Sequence, residues 1–518
     1  MAKVTGGELL VRTLADHGVR HVFSIIGGQM CSVYDSLSSH PEMNLVTVRN
    51  EAAAPMMAAG CTAATGVPSV SMCTVGAGVV YEVPGLMAAW YSFLPVISIA
   101  PQVQSWKMKP HQENLQGCNQ DELFFPITKW NAIIYHWERI PSLVHRALRE
   151  AQANAPGPVH LDVPVDVFFK TQELDERKMS KIMPAAKTTR FVGALPGPEE
   201  QVSQALAAIS TSERPLALIG QGMGLPGRYP ELKDHLNALG VPTLLADSSS
   251  GIMDGRDMSY AGALGLYAGS AKGLELIRKA DLLLIIGIDD QIHDLVRGTG
   301  DDHKTLVQVE VDPSALLSNR RKYFGVNADP ISFLSVVNKT GNHPVGTRKA
   351  WLDMVQEMGD ALTNEFAGRA PRAAALFQSV AAGLNSEDIV IVDGAEMVSA
   401  SYALLRKASY RNLFIMNTRD LAGVGLPFAI GVKTGMPEHR VMLVTDKDSL
   451  YRHLQELQTA AGLGLDINLV CVDPGEGQKL KRTEAVLEGL GCKIMHLEMG
   501  QRLEREKCGR PCAWLCAD

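Results

Sequence analysis

The sequence predicts an α/β protein with three doubly wound parallel-sheet domains. Short, continuously apolar runs recur along its 518 residues, as expected of parallel strands that are covered on both faces. Stretches with helical spacing separate these runs, and glycine turns follow several of them, which is typical of alternating strands and helices. Two polar segments, at 167–198 and 340–371, read as linkers. We therefore predict domains over residues 1–170, 195–340 and 371–518.

The composition is that of an ordinary globular protein, with 46% apolar and 20% charged residues, so each domain can bury a core. The net charge of −7 and the lack of a basic run argue against a nucleic-acid partner. No apolar stretch approaches the roughly 20 residues of a membrane span, and the N-terminus does not resemble a signal peptide. Nine scattered cysteines favour a reducing cytoplasm. We expect a cytoplasmic protein with a small-molecule substrate.

The apolar runs predict the strands of each domain. In the first domain a helical stripe of Leu9, Leu10 and Leu14 ends at Gly18 and precedes the first run. The predicted strands of this domain are Val22–Ile26, Leu45–Val48, Val70–Cys73, Val96–Ala100 and Val159–Val163. Those of the central domain are Leu216–Ile219, Thr243–Ala246, Leu282–Ile286 and Leu306–Val311. Those of the third are Ile389–Val392, Val441–Val444, Leu469–Val472 and Cys512–Cys516.

Cys508, Cys512 and Cys516 recur every four residues near the C-terminus. This spacing admits two interpretations, a set of metal ligands or a buried terminal strand. The apolar neighbours favour the strand, in which cysteine behaves as a small apolar residue.

Four segments of the first domain carry a family resemblance. They are, in order, Phe23-Ser-Ile-Ile-Gly-Gly28, Arg49-Asn-Glu-Ala-Ala-Ala54, Gly76-Ala-Gly78 and Gly157-Pro-Val-His-Leu-Asp-Val-Pro164. Their order and spacing resemble the thiamine-diphosphate enzymes of the acetolactate synthase and pyruvate oxidase group. The resemblance extends over nearly the whole chain and is closest in its N-terminal third.

The resemblance implies a role for Glu51, as the glutamate that hydrogen-bonds the aminopyrimidine ring and helps the cofactor lose its thiazolium proton. It implies that Gly27, Gly28, Gly76 and Gly78 line the same cofactor. Such chemistry needs a carboxyl group in an apolar pocket, and the three alanines after Glu51 admit a close neighbour. The alternative is a carboxylate near a helix start, where it favours the helix dipole.

In the central domain, the glycine turn at 220–224 follows a predicted strand, and the segments 265–269 and 287–290 fall where the family contacts its dinucleotide. The resemblance implies that they contact FAD through Gly220, Gly222, Gly265 and Asp289, since glycine lets backbone amides approach phosphate. Such turns are also routine joints of any α/β fold, and homologues keep this domain without flavin. The arginine that usually accompanies Asp289 is absent. These glycine turns therefore have two interpretations, as contacts to FAD or as ordinary joints of the fold.

The third domain departs from the family at Asp446-Lys-Asp-Ser-Leu450, where the pattern requires Gly-Asp-Gly-Ser-Phe. Counted from the helix at 454–460, Lys447 takes the position of the magnesium-binding aspartate, and Asp473 that of the metal-binding asparagine. A shift of one residue restores Asp446 as a ligand but not the glycines. A lysine ammonium about 4 Å from a divalent cation, at an effective dielectric of about 20, is repelled by about 8 kcal/mol. We therefore expect no ordinary magnesium site.

Lys447 has two interpretations in this altered motif. It could bind a phosphate directly in place of the metal. Alternatively, it pairs with Asp473 and fills an emptied metal site, which the residues favour. A further change lies at Ala422, where the family places a bulky apolar residue under the bent cofactor. The resemblance thus implies that Ala422, Lys447 and Asp473 line the cofactor.

The loop Trp106-Lys-Met-Lys-Pro-His111 and the segment Gln116–Glu122 lie where the family's substrate-side loop crosses the active site. Lys107, Lys109 and His111 could bind an anionic substrate, or the loop could be an ordinary solvated one. Gln120 is near the position of a family active-site glutamine. The catalytic residues that we predict are Glu51, Gln120 and His111.

Three functions follow from these observations. The first is a thiamine-diphosphate lyase or carboligase that acts on a 2-oxo acid or aldehyde with an altered phosphate and metal site. The second is an enzyme of this fold that uses another cofactor, such as flavin, or none. The third is a non-catalytic homologue that serves as a partner subunit. The resemblance implies a homodimer or homotetramer, with the site between the first domain of one subunit and the third of another.

Overall fold

The computed structural model has the predicted α/β architecture. In the described residues, the strands form three six-stranded parallel sheets with helices packed against them, and one small two-stranded antiparallel sheet. The residues described are 2–183, 195–223, 231–246, 249, 251–253, 260–264, 271–287, 304–316, 322–340, 345–369, 371–405, 412–415, 421–472, 478–497, 502–503 and 509–516. The predicted fold class is confirmed.

The first sheet has the strand order β3-β2-β4-β5-β7-β6, and β1 pairs with β8 beside it. Its first helix begins at the N-cap residue Thr5, whose Oγ1 accepts a hydrogen bond from the Glu8 amide at 3.0 Å. The strands are β1 Ala2–Thr5, β2 His21–Ser24, β3 Asn44–Thr47, β4 Ser69–Met72, β5 Val96–Gln102, β6 Trp130–Ile133, β7 Val159–Pro164 and β8 Thr171–Leu174. The helices are α1 Gly6–Asp16, α2 Cys31–Ser38, α3 Ala53–Thr65, α4 Ala77–Tyr91, α5 Gln120–Phe124, α6 Ile140–Gln152, α7 Val165–Phe169 and α8 Glu176–Ile182.

The central sheet has the order β11-β10-β9-β12-β13-β14. Its strands are β9 Pro215–Ile219, β10 Thr243–Ala246, β11 Tyr260–Leu264, β12 Leu282–Ile286, β13 Thr305–Glu310 and β14 Tyr323–Asn327. Its helices are α9 Glu199–Thr211, α10 Leu232–Leu239, α11 Ala271–Lys279, α12 Pro330–Thr340 and α13 Lys349–Arg369.

Helix α13 corrects the predicted linker at 340–371. Five large apolar residues recur along it at helical spacing and are buried in the cores of the molecule, because they form one continuous stripe. These residues are Trp351, Val355, Met358, Leu362 and Phe366. The charged residues between them made the segment read as polar. The linker prediction is wrong at this point.

The third sheet has the order β16-β15-β17-β18-β20-β19. Its strands are β15 Ile389–Asp393, β16 Asn412–Ile415, β17 Val441–Asp446, β18 Ile467–Val472, β19 Lys493–His496 and β20 Cys512–Cys516. Its helices are α14 Pro371–Gly383, α15 Ala395–Leu405, α16 Gly425–Gly435, α17 Lys447–Tyr451, α18 Glu456–Gly462 and α19 Gln478–Gly489. The terminal strand was predicted with the observed bounds, and both of its end cysteines are buried.

The first and third domains share one apolar core, in which α3 packs directly on α16. Glycines bring the two backbones together. A Cβ atom on Gly60 would overlap the Phe428 carbonyl oxygen, and one on Gly431 would overlap that of Met57. This close contact fixes the position of α3, and hence of the residues just before it, relative to the third domain.

Candidate active site

Thr74 is the centre of the glycine turns of the first domain. A Cβ atom on Gly27 would lie 2.8 Å from Thr74 Oγ1, and one on Gly78 would lie 2.8 Å from Thr74 Cγ2. Gly76 has a φ of +78°, which only glycine adopts without strain, and it begins α4 as the N-cap residue. The structure therefore brings three of the four predicted glycines together. Gly28 lies at the exposed rim, with open space beside it.

Glu51 lies at this turn because it directly precedes α3, which the third domain holds in place. Its Oε1 atom would be 3.2 Å from a Cβ atom on Gly78. The side chain is half-buried, so it faces a space next to the glycine rather than a packed core. The predicted grouping of Glu51 with Gly76 and Gly78 is what the structure shows; the roles of these residues stay predictions.

Two glutamines complete the turn. Gln29 Nε2 donates to Gln116 Oε1 at 3.2 Å, and Thr74 Oγ1 donates to Gln29 Oε1 at 3.0 Å. Gln116 has a φ of +66° and lies against Gly76, where a Cβ atom would be 2.8 Å from the Gln116 Cβ. Sequence reasoning marked the segment that begins at Gln116 but chose Gln120 within it.

Gln120 has a different environment from the one predicted. It is fully buried, and its side-chain amide donates to the carboxylate of Asp162 and to the Pro101 carbonyl at 3.3 Å. The Gln120 amide is thus engaged inside the domain, whereas Gln116 borders the glycine turn. A catalytic role for Gln120 stays a prediction.

The loop that contains His111 forms a compact turn beside Gln116. The His111 carbonyl accepts from the Asn114 amide at 3.2 Å, and both ring nitrogens of His111 are buried without a hydrogen-bond partner among the described residues. Lys107 and Lys109 are exposed, while Met108 between them is buried and anchors the loop. This arrangement is compatible with both interpretations of the loop, a site for an anionic substrate or an ordinary solvated loop.

In the central domain, Gly220 and Gly222 use their amides within the protein. The Gly220 amide donates to the Ile286 carbonyl at 2.9 Å, and the Gly222 amide donates to that of Gly287 at 3.1 Å. Because both donors are engaged with the end of β12, neither is available to a phosphate. Gly265, Asp289 and Asp473, which were also predicted to bind a cofactor, lie outside the described residues.

A buried carboxylate occupies the turn before α16. Asp393 Oδ2 accepts from the amides of Gly423 and Gly425 at 3.1 and 2.9 Å, and its Oδ1 accepts from Gly394 at 2.9 Å. Burial raises the pKa of Asp393 to about 6, and the nearby charge of Asp446 acts in the same direction, against the three amides. Ala422 lies half-buried in the same turn.

Asp446 ends β17 and caps α17, with its Oδ1 accepting from the Ser449 amide at 2.7 Å. Its Oδ2 lies so close to Gly394 that a Cβ atom there would overlap it. Lys447 is directed differently, with its Nζ 5.7 Å from the centre of the Tyr451 ring. The side chain that faces the Gly394 turn is therefore the carboxylate of Asp446. Sequence reasoning placed the lysine at the centre of this site.

The described residues contain no group of three or more histidine, cysteine, aspartate or glutamate side chains that could hold a metal ion. They also contain no helix long and apolar enough to cross a membrane. Thr74, Gln29, Gln116 and Asp393 are the residues that sequence reasoning missed. Thr74 and Asp393 each stand at the end of a predicted strand, which was the available signal.

Three protein-family models match successive parts of the chain. The N-terminal TPP binding domain of thiamine pyrophosphate enzymes matches residues 4–123, and the central domain matches 202–337. The C-terminal TPP binding domain matches residues 395–478. The matches follow the order of the three sheets.

Acetolactate synthases are among the known proteins that resemble the whole chain. The large subunit of isozyme 3 from Escherichia coli K12 is 24% identical over 483 residues, which is 91% of this chain and 82% of that protein. The isozyme 1 large subunit of the same organism is 26% identical over 484 residues, with the same coverage. The large subunit from Haemophilus influenzae is 24% identical over 500 residues, again covering 91% and 82%.

Proposed function

We propose, since this chain belongs to the acetolactate synthase-like superfamily of thiamine-diphosphate-dependent enzymes, that it forms or breaks a carbon–carbon bond beside a carbonyl group. The substrate is a 2-oxo acid or an aldehyde. The observation that carries this proposal is the position of Glu51 beside Gly78, at the half-buried glycine turn of the first domain. Glu51 is therefore the residue on which the proposal is tested.

Glu51 would hold the pyrimidine end of the cofactor. Gly78 leaves the space beside Glu51 Oε1 open, because it has no side chain. Thiamine diphosphate, when bound, supplies a nucleophilic carbon that adds to a carbonyl group. In this proposal, Glu51 Oε1 holds a proton at the pyrimidine ring, and the Gln29–Gln116 pair borders the substrate side of the turn.

The residues at the phosphate end of the site differ from the family's pattern. Two carboxylates, Asp393 and Asp446, lie at the ends of neighbouring strands, and Lys447 stands where a ligand aspartate is expected. These residues do not fit the family's magnesium-bridged diphosphate, since Asp446 is engaged as the cap of α17 against Gly394 and Lys447 replaces an oxygen ligand. We therefore propose binding that does not depend on Mg²⁺.

A second candidate, a non-catalytic partner subunit, is favoured by the carboxylate of Asp446 alone. The Asp446 carboxylate packs against Gly394, whereas a glycine at position 446 would leave this turn open. In this candidate, the third domain would therefore bind no cofactor. The large-subunit relatives make a subunit partner chemically reasonable.

Calorimetric titration with thiamine diphosphate, with and without Mg²⁺, separates the two candidates. The first predicts Mg²⁺-independent heat that is lost in Glu51→Ala and kept in Glu113→Gln, an exposed carboxyl group of the same domain. Binding should accompany the consumption of one member of a panel of 2-oxo acids, followed by chromatography. The absence of heat at millimolar cofactor would reject the first candidate and support the second.

The triple substitution Asp446→Gly, Lys447→Asp and Asp448→Gly restores the family pattern and provides a further test. If the altered motif is what prevents metal-dependent binding, the triple variant should gain binding that requires Mg²⁺. Unchanged behaviour would show that other residues close the site.

We also propose that the glycine turn of the first domain packs against a second copy of the chain. Large apolar side chains surround it while remaining exposed, which is unusual for a free surface. They include Ile26, Val80, Tyr81, Leu115 and Phe125. Light scattering at several concentrations should give a homodimer or homotetramer, and a monomer throughout would refute this part.

FAD is a separate expectation for the central domain. The engaged amides of Gly220 and Gly222 argue against phosphate contacts at that turn. An absorbance scan of the purified protein decides the matter, since bound flavin colours the protein yellow.

A further inference from the structure

A row of buried polar side chains crosses the first sheet behind the glycine turn. Ser71 on β4, Ser98 on β5 and His160 on β7 are register partners, so their side chains share one face of the sheet. Glu82 of α4 points at this row from the helix that covers it. All four residues are 0% exposed. The proposed function gives this row no role, and the family resemblance includes only His160, as part of the segment 157–164.

Three hydrogen bonds connect the row in sequence. Ser98 Oγ lies 2.6 Å from Glu82 Oε2 and 2.9 Å from His160 Nδ1. His160 Nε2 lies 3.0 Å from Asp162 Oδ1, which also accepts from the Gln120 amide. The result is an unbroken chain from the Glu82 carboxyl group to that of Asp162.

The part formed by Ser98, His160 and Asp162 has the connectivity of a hydrolase triad, but it cannot act as one. Ser98 and His160 are 0% exposed and Asp162 is 1% exposed, so no substrate reaches the serine. The Phe124 ring covers His160, with the two ring centres 3.9 Å apart. A sealed chain of this kind can exchange protons only among its own groups.

Ser98 has one hydroxyl proton for two short contacts. If it donates to Glu82, His160 must donate from Nδ1 as well as from Nε2, so the ring is positively charged. If it donates to His160, the ring is neutral and Glu82 must carry the proton that fills the 2.6 Å contact. Both arrangements contain the same number of protons.

Loss of that proton leaves one of the two contacts with two acceptors and no hydrogen, which is repulsive in a buried site. A second proton places the O–H of Glu82 either at Ser98, whose own hydroxyl then lacks an acceptor in the chain, or at Oε1, which has no hydrogen-bond partner among the described residues. The geometry therefore suits one shared proton better than none or two. Burial raises the pKa of Glu82 to about 7, against the opposing effects of Ser98 and His160, which agrees with this conclusion.

We propose that Glu82, Ser98 and His160 form a buried relay that holds one shared proton and passes it between Glu82 and His160. The O–H bond of Glu82 breaks as one forms at Ser98, while the Ser98 proton moves to His160 Nδ1; the reverse step restores the first arrangement. No other reactant is needed.

The charge that the relay places on Glu82 faces the Cys73 thiol. The Cys73 thiol lies near Glu82 and is within electrostatic range of Glu51 and Asp162; its pKa is raised by burial and by these carboxylates. Movement of the proton to His160 puts a negative charge on the side of the relay that faces Cys73. Glu82 is thus the group through which the relay changes the charge beside the Cys73 thiol.

The test compares two titrations in the purified protein without added ligand, so its outcome is independent of the proposed function. Infrared spectroscopy follows the carbonyl band of protonated Glu82, identified by its loss in Glu82→Gln. Solid-state NMR of isotope-labelled histidine follows His160, identified by its loss in His160→Gln. Because one proton is shared, both signals should change at the same pH in the wild-type protein.

Ser98→Ala should separate the two midpoints, because it removes the connecting hydroxyl. Ser71→Ala is the matched control: it removes a buried hydroxyl at the same register on the adjacent strand, one that faces Glu82 but does not link it to His160. It should leave the midpoints together. Separate midpoints in the wild type, or coincident ones in Ser98→Ala, would overturn the relay.

Glu82→Gln keeps the test decisive if Ser98→Ala does not fold. The glutamine amide can donate to Ser98, which then donates to His160 and keeps the ring neutral. His160 should therefore show no charging over the range in which it titrates in the wild type. Charging of His160 at the wild-type midpoint in this variant would equally refute the proposal.

Discussion

Glu456 is a buried carboxyl group between the first and third domains, and Glu456→Gln should remove part of the pH dependence of stability. Its two oxygens accept from the Arg49 amide at 3.0 and 3.2 Å, and one accepts from Thr459 Oγ1 at 2.8 Å. Burial raises the pKa of Glu456 to about 7 despite these hydrogen bonds. Folding therefore favours the protonated form of this group.

The magnitude follows from the difference between the ordinary pKa of 4.5 and the folded value of about 7. At about 1.4 kcal/mol per pH unit, the protonated group contributes about 3 kcal/mol to the free energy of unfolding. Since the folded pKa is the higher one, this contribution is complete below the unfolded pKa and is lost as the pH rises through about 7. Glutamine cannot ionise and does not lose it.

Urea unfolding at pH 5 and at pH 8 measures the effect. Glu82 and Asp393 also have raised pKa values, so the wild type should lose stability over this range for several reasons. The informative quantity is the difference between variants: Glu456→Gln should lose about 3 kcal/mol less than the wild type. Glu488→Gln, at an exposed position of α19, is the control and should behave as the wild type. Equal losses in the Glu456 variant and the wild type would refute the reasoning.

Three further substitutions test the packing. Gly431→Ala forces a methyl group into the Met57 carbonyl oxygen and should lower stability by about 1–3 kcal/mol in thermal unfolding, whereas Gly462→Ala, with open space around it, should be neutral or stabilising. Arg348→Met leaves buried backbone carbonyls without their donor and should cost about 3 kcal/mol in urea unfolding. Trp351→Ala opens a cavity and removes a 2.8 Å hydrogen bond to the Pro215 carbonyl, so the urea midpoint should fall by the equivalent of about 3–5 kcal/mol. An unchanged midpoint in either of the last two would contradict the packing described.

Sequence reasoning missed seven of the described strands, and each lies at the edge of its sheet: β1, β6, β8, β11, β14, β16 and β19. The strands inside each sheet were all found. An interior strand is covered on both faces and must be continuously apolar, so its sequence alone reveals it. An edge strand such as Lys493–His496 is only partly buried and needs no such run. An edge strand of this kind is recognised only from the strand with which it pairs.

The residues of the candidate site also divide into those that the sequence identified and those that only the fold revealed. Glu51 and its glycines were identified through the family resemblance, which rests on short segments of continuous sequence. The sequence could not decide between Gln116 and Gln120, because their sequence neighbourhoods are similar. Only the fold turns Gln116 toward Gly76 and Gln120 toward Asp162. The direction of Asp446 was equally hidden, because it depends on the cap that its side chain forms with Ser449.

The sequence by itself determined that this is a three-domain α/β protein, since apolar runs and glycine turns are local properties of the chain. Only the tertiary structure decided which polar groups meet. Ser98 and His160 come from strands that are 62 residues apart in sequence, and Glu82 comes from the helix that covers them. Their contact depends on strand register and helix packing, which no local pattern encodes.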